Sequence, residues 1–314
     1  MMINPILNEY YGCYEACIAT VAKHFQKDFY MMFSACFYFD YKQISDTVAN
    51  GIDIYPTELY RDKLLYNFHG IQITSIEFTS KQDLLAFITC ELEAEYPIMM
   101  WTDVYYCNWN VLYNRQHIDH KILITSYENS VIGCIDPYFT QELLMIYADN
   151  PLLIWNKLSS FRIHSPKSIK IKVKIQALLV FLYQYRKNHQ KTLSFKLFTQ
   201  DIIRMDLELE KGNASTLYDI PIIRKLKLLE DNRYCYREML AALEQRYGIS
   251  FSRLNLKIEQ LCLKWHELRM ILLKCFLIKS VKVKQEAIIK SLDEIEQFEI
   301  DVLNHLISEL SRIR

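Results

Sequence analysis

Residues 117–138, HIDHKILITSYENSVIGCIDPY, form the stretch that decides the fold. Its first half alternates β-branched and long apolar residues, a turn-forming Glu-Asn-Ser follows, and a second short apolar run ends at Asp136-Pro137. This pattern predicts a β-hairpin with strands at 121–127 and 131–135. Because antiparallel strands place the start of one beside the end of the other, His120 and Asp136 are expected to meet. A histidine held by a carboxylate is one half of a nucleophilic site.

The other half is a nucleophile near a helix start, and residues 12–25, GCYEACIATVAKHF, supply a candidate. Apolar residues recur there at helical spacing, which places Cys13 at or just before the first turn of a buried helix. The helix dipole and the unpaired amides of a first turn favour a thiolate. Cys17 lies one turn further along and is expected in the core. The alternative for Cys13 is that of most cysteines, a buried and inert thiol.

Two histidines can serve as the base, and the sequence favours His120 over His117. His120 adjoins the strand whose partner ends in Asp136, whereas His117 is expected to be a loop residue that lines the entrance. Asp136 would orient the imidazole, as a carboxylate or amide does in other Cys/His sites. The other interpretation is that Asp136-Pro137 only opens a turn.

These residues resemble a known family. Cys13 opening an Ala-rich helix, His120 beginning a strand and Asp136-Pro137 after a tight turn are similar to the papain-like group that includes the leader peptidases of bacteriocin exporters. The run PIMMWTDVYY at 97–106, followed by HIDH at 117–120, resembles more closely the N-terminal domain of the BtrH-like butirosin acyltransferases. Weaker similarity continues in WHEL at 265–268 and EIE at 294–296. The resemblance implies a papain-like domain, an acyltransferase activity and a carrier-protein donor.

Papain-like enzymes use a glutamine shortly before the cysteine as an oxyanion donor, and residues 1–11 contain none. Asn8 is the nearest amide and is a candidate for that role, with a turn or cap residue as the alternative. The backbone N–H of Cys13 is the second expected oxyanion donor.

An aromatic segment leads into His120 and is the expected substrate-binding wall. The candidate residues are Trp101, Asp103, Tyr105, Trp109 and His117. Asp103 is expected either to bind a substrate ammonium group or to be structural. The related acyltransferases show Leu-Pro after the tyrosine, where Cys107-Asn108 stands here, so a different acceptor is expected. An earlier run of Phe, Tyr and Met at 29–41 is expected in the core, with an acyl-binding cleft as the alternative.

The chain divides by composition near Ser165-Pro166, which predicts a papain-like α+β domain at 1–166 and an all-helical domain at 167–314. In the first, helices are expected at 56–69, 80–95 and 151–160, and strands at 71–78, 97–104, 143–147 and 161–164. In the second, helices are expected at 171–188, 195–211, 219–230, 232–247, 251–279 and 283–312. The last two are long enough for an antiparallel pair.

Composition excludes several classes of protein. The net charge is zero, but residues 1–166 carry 10 Lys and Arg against 19 Asp and Glu, and the remainder carries 27 against 18. This asymmetry indicates either mutual docking of the halves or a basic surface for an acidic partner. Nine cysteines without CxxC spacing predict free thiols and no metal site. The six glycines form no nucleotide-binding loop, so no cofactor is expected. Binding to nucleic acid, a membrane span and a signal peptide are likewise not expected. The protein is expected to be a cytoplasmic enzyme.

The function that follows is amide formation by acyl transfer. Cys13 would take an acyl group from a carrier-protein thioester, and His120 would then deprotonate a small amine acceptor. The carrier protein and a specialised-metabolite setting come from the resemblance alone. A cysteine peptidase or amidase of the same fold, and an inactive helical interaction protein, are the alternatives. Association between copies of the chain is left open by the sequence.

Overall fold

The computed structural model describes residues 1–41, 52–53, 56–140, 142–147, 157–164, 169–192, 194–214 and 216–313, and its fold is mixed α and β. Contacts group the chain into two compact units. Unit 1 comprises Met1–Phe29 and Asp62–Lys167, and unit 2 comprises Tyr30–Arg61 and Ser168–Arg314. Residues 30–61 group with the C-terminal helices, and the domain division at 1–166 and 167–314 stays a prediction. No helix in the described part of the chain is long and apolar enough to cross a membrane.

Unit 1 is built on a six-stranded antiparallel sheet. The helices of this unit are α1 (Cys13–His24) and α3 (Lys81–Glu93), and α2 (Pro56–His69) begins in unit 2 and ends in unit 1. The strands are β3 (Ile71–Glu77), β4 (Ile98–Asp103), β5 (Asp119–Glu128), β6 (Val131–Ile135), β7 (Leu143–Tyr147) and β8 (Lys157–Ile163). Their order is β3-β8-β4-β5-β6-β7. The last strand in sequence therefore lies between β3 and β4.

The predicted hairpin is confirmed as β5 and β6. Asn129 and Ser130 both adopt positive φ, 51° and 63°, which is the conformation that a two-residue hairpin turn needs. A bulge between Ile124 and Ser126 shifts the register midway along the pair. Gly133 is required beside this bulge, because a Cβ there would lie 2.2 Å from Ser126 Oγ. The hairpin thereby carries His120 and Asp136 at neighbouring strand ends.

Most other predicted elements of unit 1 are also confirmed, including α3 with its cap, since Ser80 Oγ accepts from the Asp83 N–H at 3.0 Å. The helix expected at 151–160 is wrong where the structure describes it. Residues 157–160 are the first part of β8, and they pair with β3, where Lys157 lies opposite Glu77. Residues 151–156 lie outside the described part of the chain.

The described residues of unit 2 are helical apart from connecting turns and the short pair β1 (Asp40–Tyr41) and β2 (Ile52–Asp53). Its helices are α4 (Ile171–Thr192), α5 (Ser194–Arg204), α6 (Leu207–Lys211), α7 (Pro221–Tyr247), α8 (Ser252–Ile278) and α9 (Gln285–Arg312). The aromatic run at 30–41 forms core, as expected, because Met31, Phe33, Phe37 and Phe39 are almost fully buried. With α4, part of this run lines a cavity of about 130 Å³.

Two helix boundaries in unit 2 differ from the prediction. The single helix expected at 195–211 is two helices, because Asp206 caps a new one by accepting from the N–H groups of Glu208 and Leu209. The helices expected at 219–230 and 232–247 are one continuous α7. Asp231 does not cap a second helix there, because its carboxylate pairs with Lys227 one turn earlier.

Helices α8 and α9 form the expected antiparallel pair. Lys264 of α8 binds Glu294 of α9 at 3.0 Å. Lys257, two turns earlier in α8, binds Asp301, two turns later in α9. A buried ion pair ties α9 to α7, where Arg233 Nη2 lies 2.7 Å from Glu299 Oε1 and both side chains are fully buried. Trp265 of α8 donates to the same carboxylate oxygen at 2.9 Å. Arg233 also donates to the carbonyls of Cys36 and Tyr38, both at 3.3 Å.

Candidate active site

Cys13 is the first residue of α1, as the sequence predicted. Gly12 precedes it as the N-cap and, without a side chain, caps none of the first N–H groups. The first N–H groups of a helix lack intrahelical acceptors and point along the axis with partial positive charge. The Cys13 side chain is half-buried, whereas Cys17, one turn later, is fully buried and bonds the Lys121 carbonyl at 3.6 Å. Burial raises the pKa of Cys17 well above that of an ordinary thiol, with the nearby Cys13 and Asp136 adding to the effect.

His120 and Asp136 meet across the hairpin. His120 Nε2 lies 2.8 Å from Asp136 Oδ2, and both side chains are almost completely buried. Cys13 lies beside the same imidazole, close enough to help raise its pKa. Because Nε2 faces the carboxylate, Nδ1 is the ring nitrogen left for the thiol. The structure therefore brings together all three residues that the sequence predicted as a catalytic set.

The pKa of His120 is raised to about 9. Burial is the largest single influence and lowers this pKa, but it is outweighed by the hydrogen bonds to Asp136 and Cys13 and by the negative charge of those groups. His120 is therefore an imidazolium at neutral pH. A cation held in a buried position beside a sulfur atom stabilises negative charge on that atom.

Asp136 is fixed by three hydrogen-bond donors. Its Oδ2 accepts from Trp109 Nε1 at 2.7 Å as well as from His120, and its Oδ1 accepts from the Tyr138 N–H at 3.1 Å. A carboxylate held on both oxygens cannot rotate away from the imidazole. Trp109, expected in the substrate wall, thus contacts the Asp136 carboxylate instead.

The residues after Asp136 cover the imidazole. A tight turn, in which the N–H groups of Phe139 and Thr140 donate to the Asp136 carbonyl, folds the chain back. The rings of Tyr138 and Phe139 then lie 6.0 and 5.4 Å from that of His120. Both aromatic side chains remain partly exposed, so they form a rim between the buried base and solvent. The sequence signal for this pair was its position directly after Asp136-Pro137.

Asp103 and His117 form a second histidine–carboxylate pair, separate from the first. Asp103 Oδ2 lies 2.7 Å from His117 Nδ1, and its Oδ1 accepts from the N–H groups of Tyr105 and Ile118. The His117 side chain is 66% exposed and stacks on Tyr105, with ring centroids 4.2 Å apart. Of the two expectations for Asp103, these bonds favour the structural one, because they engage both carboxylate oxygens in holding the loop before β5.

Trp101 does not share a sheet face with His120. It lies opposite Lys121 in the β4–β5 pair, whereas the next residue, Thr102, lies opposite His120. Since neighbouring residues of a strand point to opposite faces, Trp101 and His120 are on different sides of the sheet. The Trp101 indole donates to Ser159 Oγ at 3.2 Å, and the ammonium groups of Lys121 and Lys157 lie 4.1 and 4.2 Å from its ring.

Asn8 has a turn role in the structure. Its side-chain oxygen accepts from the Tyr10 N–H at 2.9 Å, and its carbonyl accepts from the Tyr11 N–H at 3.2 Å. This is the local turn that asparagine commonly forms. Its amide as an oxyanion donor stays a prediction.

The hairpin and its surroundings match a known family. Residues 23–137 match the family model described as butirosin biosynthesis protein H, N-terminal. Over these residues the chain is similar to this BtrH-like family. The BtrH-like match includes His120 and Asp136 and begins ten residues after Cys13. No curated protein matches the chain.

Within the described ranges, no three His, Cys, Asp or Glu side chains are grouped as metal ligands. What the site offers is a half-buried thiol at a helix start, a buried imidazolium and a carboxylate fixed on both oxygens. This arrangement suits attack on an acyl carbon and proton transfer to the departing group.

Proposed function

We propose that the chain is an amide-forming acyltransferase with a papain-like unit 1, in which Cys13 is the nucleophile, His120 the acid and base, and Asp136 the orienting carboxylate. The observation that carries this proposal is the continuous chain of contacts from Cys13 through His120 to Asp136. The BtrH-like match supports it, since the butirosin family implies acyl transfer in natural-product biosynthesis. The domain division at 1–166 and 167–314 is part of the same proposal.

In the first step the Cys13 sulfur attacks the carbonyl carbon of a carrier-protein thioester. The bond from that carbon to the carrier sulfur breaks, His120 protonates the departing thiolate, and an acyl-Cys13 thioester remains. Thioester exchange is nearly balanced in energy, so little activation of the leaving group is needed. The Cys13 N–H at the start of α1, with Asn8 as a further candidate, would stabilise the oxyanion.

In the second step a small amine attacks the acyl-Cys13 carbonyl. His120, neutral after the first step, accepts the amine proton, the carbon–sulfur bond breaks, and the amide leaves with the Cys13 thiolate and the His120 imidazolium restored. Tyr138 and Phe139 restrict water around the imidazole, which favours the amine over hydrolysis. Tyr105 and His117 are the proposed acceptor-side residues, and an acyl or peptidyl carrier protein is the proposed donor.

Intact-protein mass spectrometry tests this proposal. The wild type and Cys13→Ser are mixed with a panel of acyl-pantetheine thioesters and then with amines. We expect a mass gain equal to the acyl group, absent in Cys13→Ser and removed by amines faster than by water. Cys90→Ser, which removes an exposed thiol of α3, is the matched control and should still be acylated.

Two other results would replace the proposal. Rapid loss of the acyl group to water, unaffected by amines, would show a hydrolase with the same residues. The absence of an adduct from every donor, with a Cys13 that alkylates no faster than Cys90, would indicate a binding protein.

A further inference from the structure

An exposed apolar seam runs along α8. Leu256, Leu263, Met270 and Leu277 recur at intervals of seven residues. The three leucines are 62, 53 and 66% exposed, and Met270 is half-buried. The opposite side of the same helix is the buried one that packs in the core of unit 2; it carries Leu261, Trp265, Leu268 and Leu272. Helix α8 is therefore apolar on two sides, and the described residues of the chain cover only one of them.

A seven-residue repeat supplies one of the two apolar positions per heptad through which helices pack along each other. Residues seven apart remain on one side of a helix, so they form a continuous line of contact with a neighbour. Isolated exposed leucines are common on protein surfaces. Here the exposed apolar residues instead follow the axis of a 27-residue helix along most of its length. The seam therefore suits another helix as its partner.

Two charges beside the seam identify the partner. Glu267 and Lys274 are exposed on the same flank, and they are also seven residues apart. At a rise of about 1.5 Å per residue they are about 10 Å apart along the axis, so they cannot pair with each other within the helix. If two copies of α8 run parallel, each charge meets its own like charge. If they run antiparallel about Met270, each Glu267 meets Lys274 of the second copy.

We propose that a second copy of this chain docks on the seam, with the two α8 helices antiparallel and the two-fold axis at Met270. Leu263 of each copy then packs on Leu277 of the other, and Met270 packs on its equivalent. Two Glu267–Lys274 pairs flank this contact. The interface is isologous, as a two-fold dimer requires. One helix face is a small interface, so dissociation in the micromolar range, on the order of 10 µM, is expected.

The first measurement is the molar mass of the full chain by sedimentation equilibrium from about 1 to 300 µM, a range that spans the dissociation expected for a small interface. The wild type should approach twice the 37.5 kDa of one chain as its concentration rises. Leu263→Glu should stay monomeric, while Leu209→Glu, at an equally exposed leucine of α6, should dimerise like the wild type. A wild type that is monomeric throughout, or a Leu263→Glu variant that still dimerises, would overturn the proposal.

Charge reversal tests the antiparallel register. Glu267→Lys and Lys274→Glu should each weaken the dimer about tenfold, because each places like charges together at two symmetric positions. The double variant should recover wild-type dissociation, and an equimolar mixture of the two single variants should form a heterodimer. Lys282→Glu, an exposed charge beyond α8, is the control and should have no effect. A double variant as weak as the single ones would exclude this register.

Discussion

At the scale of single residues, the site depends on the hydrogen bonds that the buried Asp136 carboxylate accepts. Asp136 holds the imidazole of His120 with an oxygen that also accepts from Trp109. The carboxylate thus sets both the orientation and the charge of the imidazole. Replacing one donor or removing the charge should have separate and measurable effects.

Asp136→Asn should lower the pKa of His120 from about 9 to 6.5 or below. Burial acts to lower this pKa, and without the Asp136 charge only the Cys13 contact opposes it. The rate of acyl-Cys13 formation should fall by about 10² to 10⁴. An NMR titration of the ring protons measures the first effect. Asp103→Asn, which alters the other histidine–carboxylate pair, should leave the His120 titration unchanged, and an equal change in both variants would contradict the assignment.

Trp109→Phe should slow acyl-Cys13 formation several-fold while keeping the ring packed. The variant loses the N–H that donates to Asp136 Oδ2, which is worth about 1 kcal/mol to a buried acceptor. Single-turnover acylation followed by mass spectrometry measures the rate. Trp101→Phe loses a comparable bond, to Ser159 on the other sheet face, and should not change it. Equal rates for Trp109→Phe and the wild type would remove Trp109 from the positioning of Asp136.

The raised pKa of His120 also predicts how stability depends on pH. A group whose pKa is higher in the folded than in the unfolded chain stabilises the folded state when it is protonated. For His120 this stabilisation is complete below the unfolded pKa of 6.5, and it is lost as the pH rises through the folded pKa of about 9. The contribution is about 3 kcal/mol. The difference in unfolding free energy between the wild type and His120→Gln should therefore shrink by about this amount from pH 6 to pH 10. A difference that stays constant over this range would contradict the protonation state.

Within the site, the sequence was sufficient to predict contacts between residues of one hairpin. His120 and Asp136 belong to one hairpin, so alternation and a turn were enough to place them together. The bond from Trp109 to Asp136 and the pairing of Asp103 with His117 depend on the path of an irregular loop. No periodicity describes such a loop, so these contacts were not predicted.

At the scale of elements, the bulge in the β5–β6 hairpin lies close to the site. Gly133 lies opposite Ser126 at the register shift, three residues before Asp136. The sequence predicted the strands but not the bulge, because the strand pattern continues through it. Strand β8 was missed over 157–160 for a related reason. Its pairing with β3 joins residues 80 or more positions apart in the sequence, and a local pattern does not report such a pairing.

Gly133→Ala should destabilise the protein by about 1–2 kcal/mol, because the new methyl group lies 2.2 Å from Ser126 Oγ and displaces it or the strand. Ser126→Ala removes the obstructing hydroxyl, so the double variant should recover most of the loss. Chemical denaturation of the three variants measures this coupling. A single Gly133→Ala variant as stable as the wild type would show that the bulge tolerates a side chain.

At the scale of the whole molecule, a buried ion pair organises unit 2. Arg233 and Glu299 are fully buried, and Trp265 donates to the same carboxylate oxygen as Arg233. The sequence predicted helices here but not this pair, since each residue looks like a solvated charge on its own helix. Its effect on stability depends on both partners being present.

Arg233→Met should lower the free energy of unfolding by about 3–5 kcal/mol, because Glu299 is left buried without its cation. Arg233→Met combined with Glu299→Leu should recover most of this loss. Arg237→Met, one turn further along α7 and paired with the more exposed Glu259, should cost about 1 kcal/mol or less. Thermal and denaturant unfolding followed by circular dichroism compares these variants. A double variant weaker than Arg233→Met would contradict this account.

The carbonyls of Cys36 and Tyr38 that bind Arg233 have a further consequence for how such a chain is inherited. They belong to a segment that lies between α1 and β3 in the sequence but completes the core of unit 2. A single recombination event at the codon for residue 167 would join the helices α4 to α9 to a foreign preceding segment and leave the Arg233 guanidinium without these two carbonyl acceptors. The two units are therefore expected to pass between genomes together, and to diverge together, rather than as interchangeable modules.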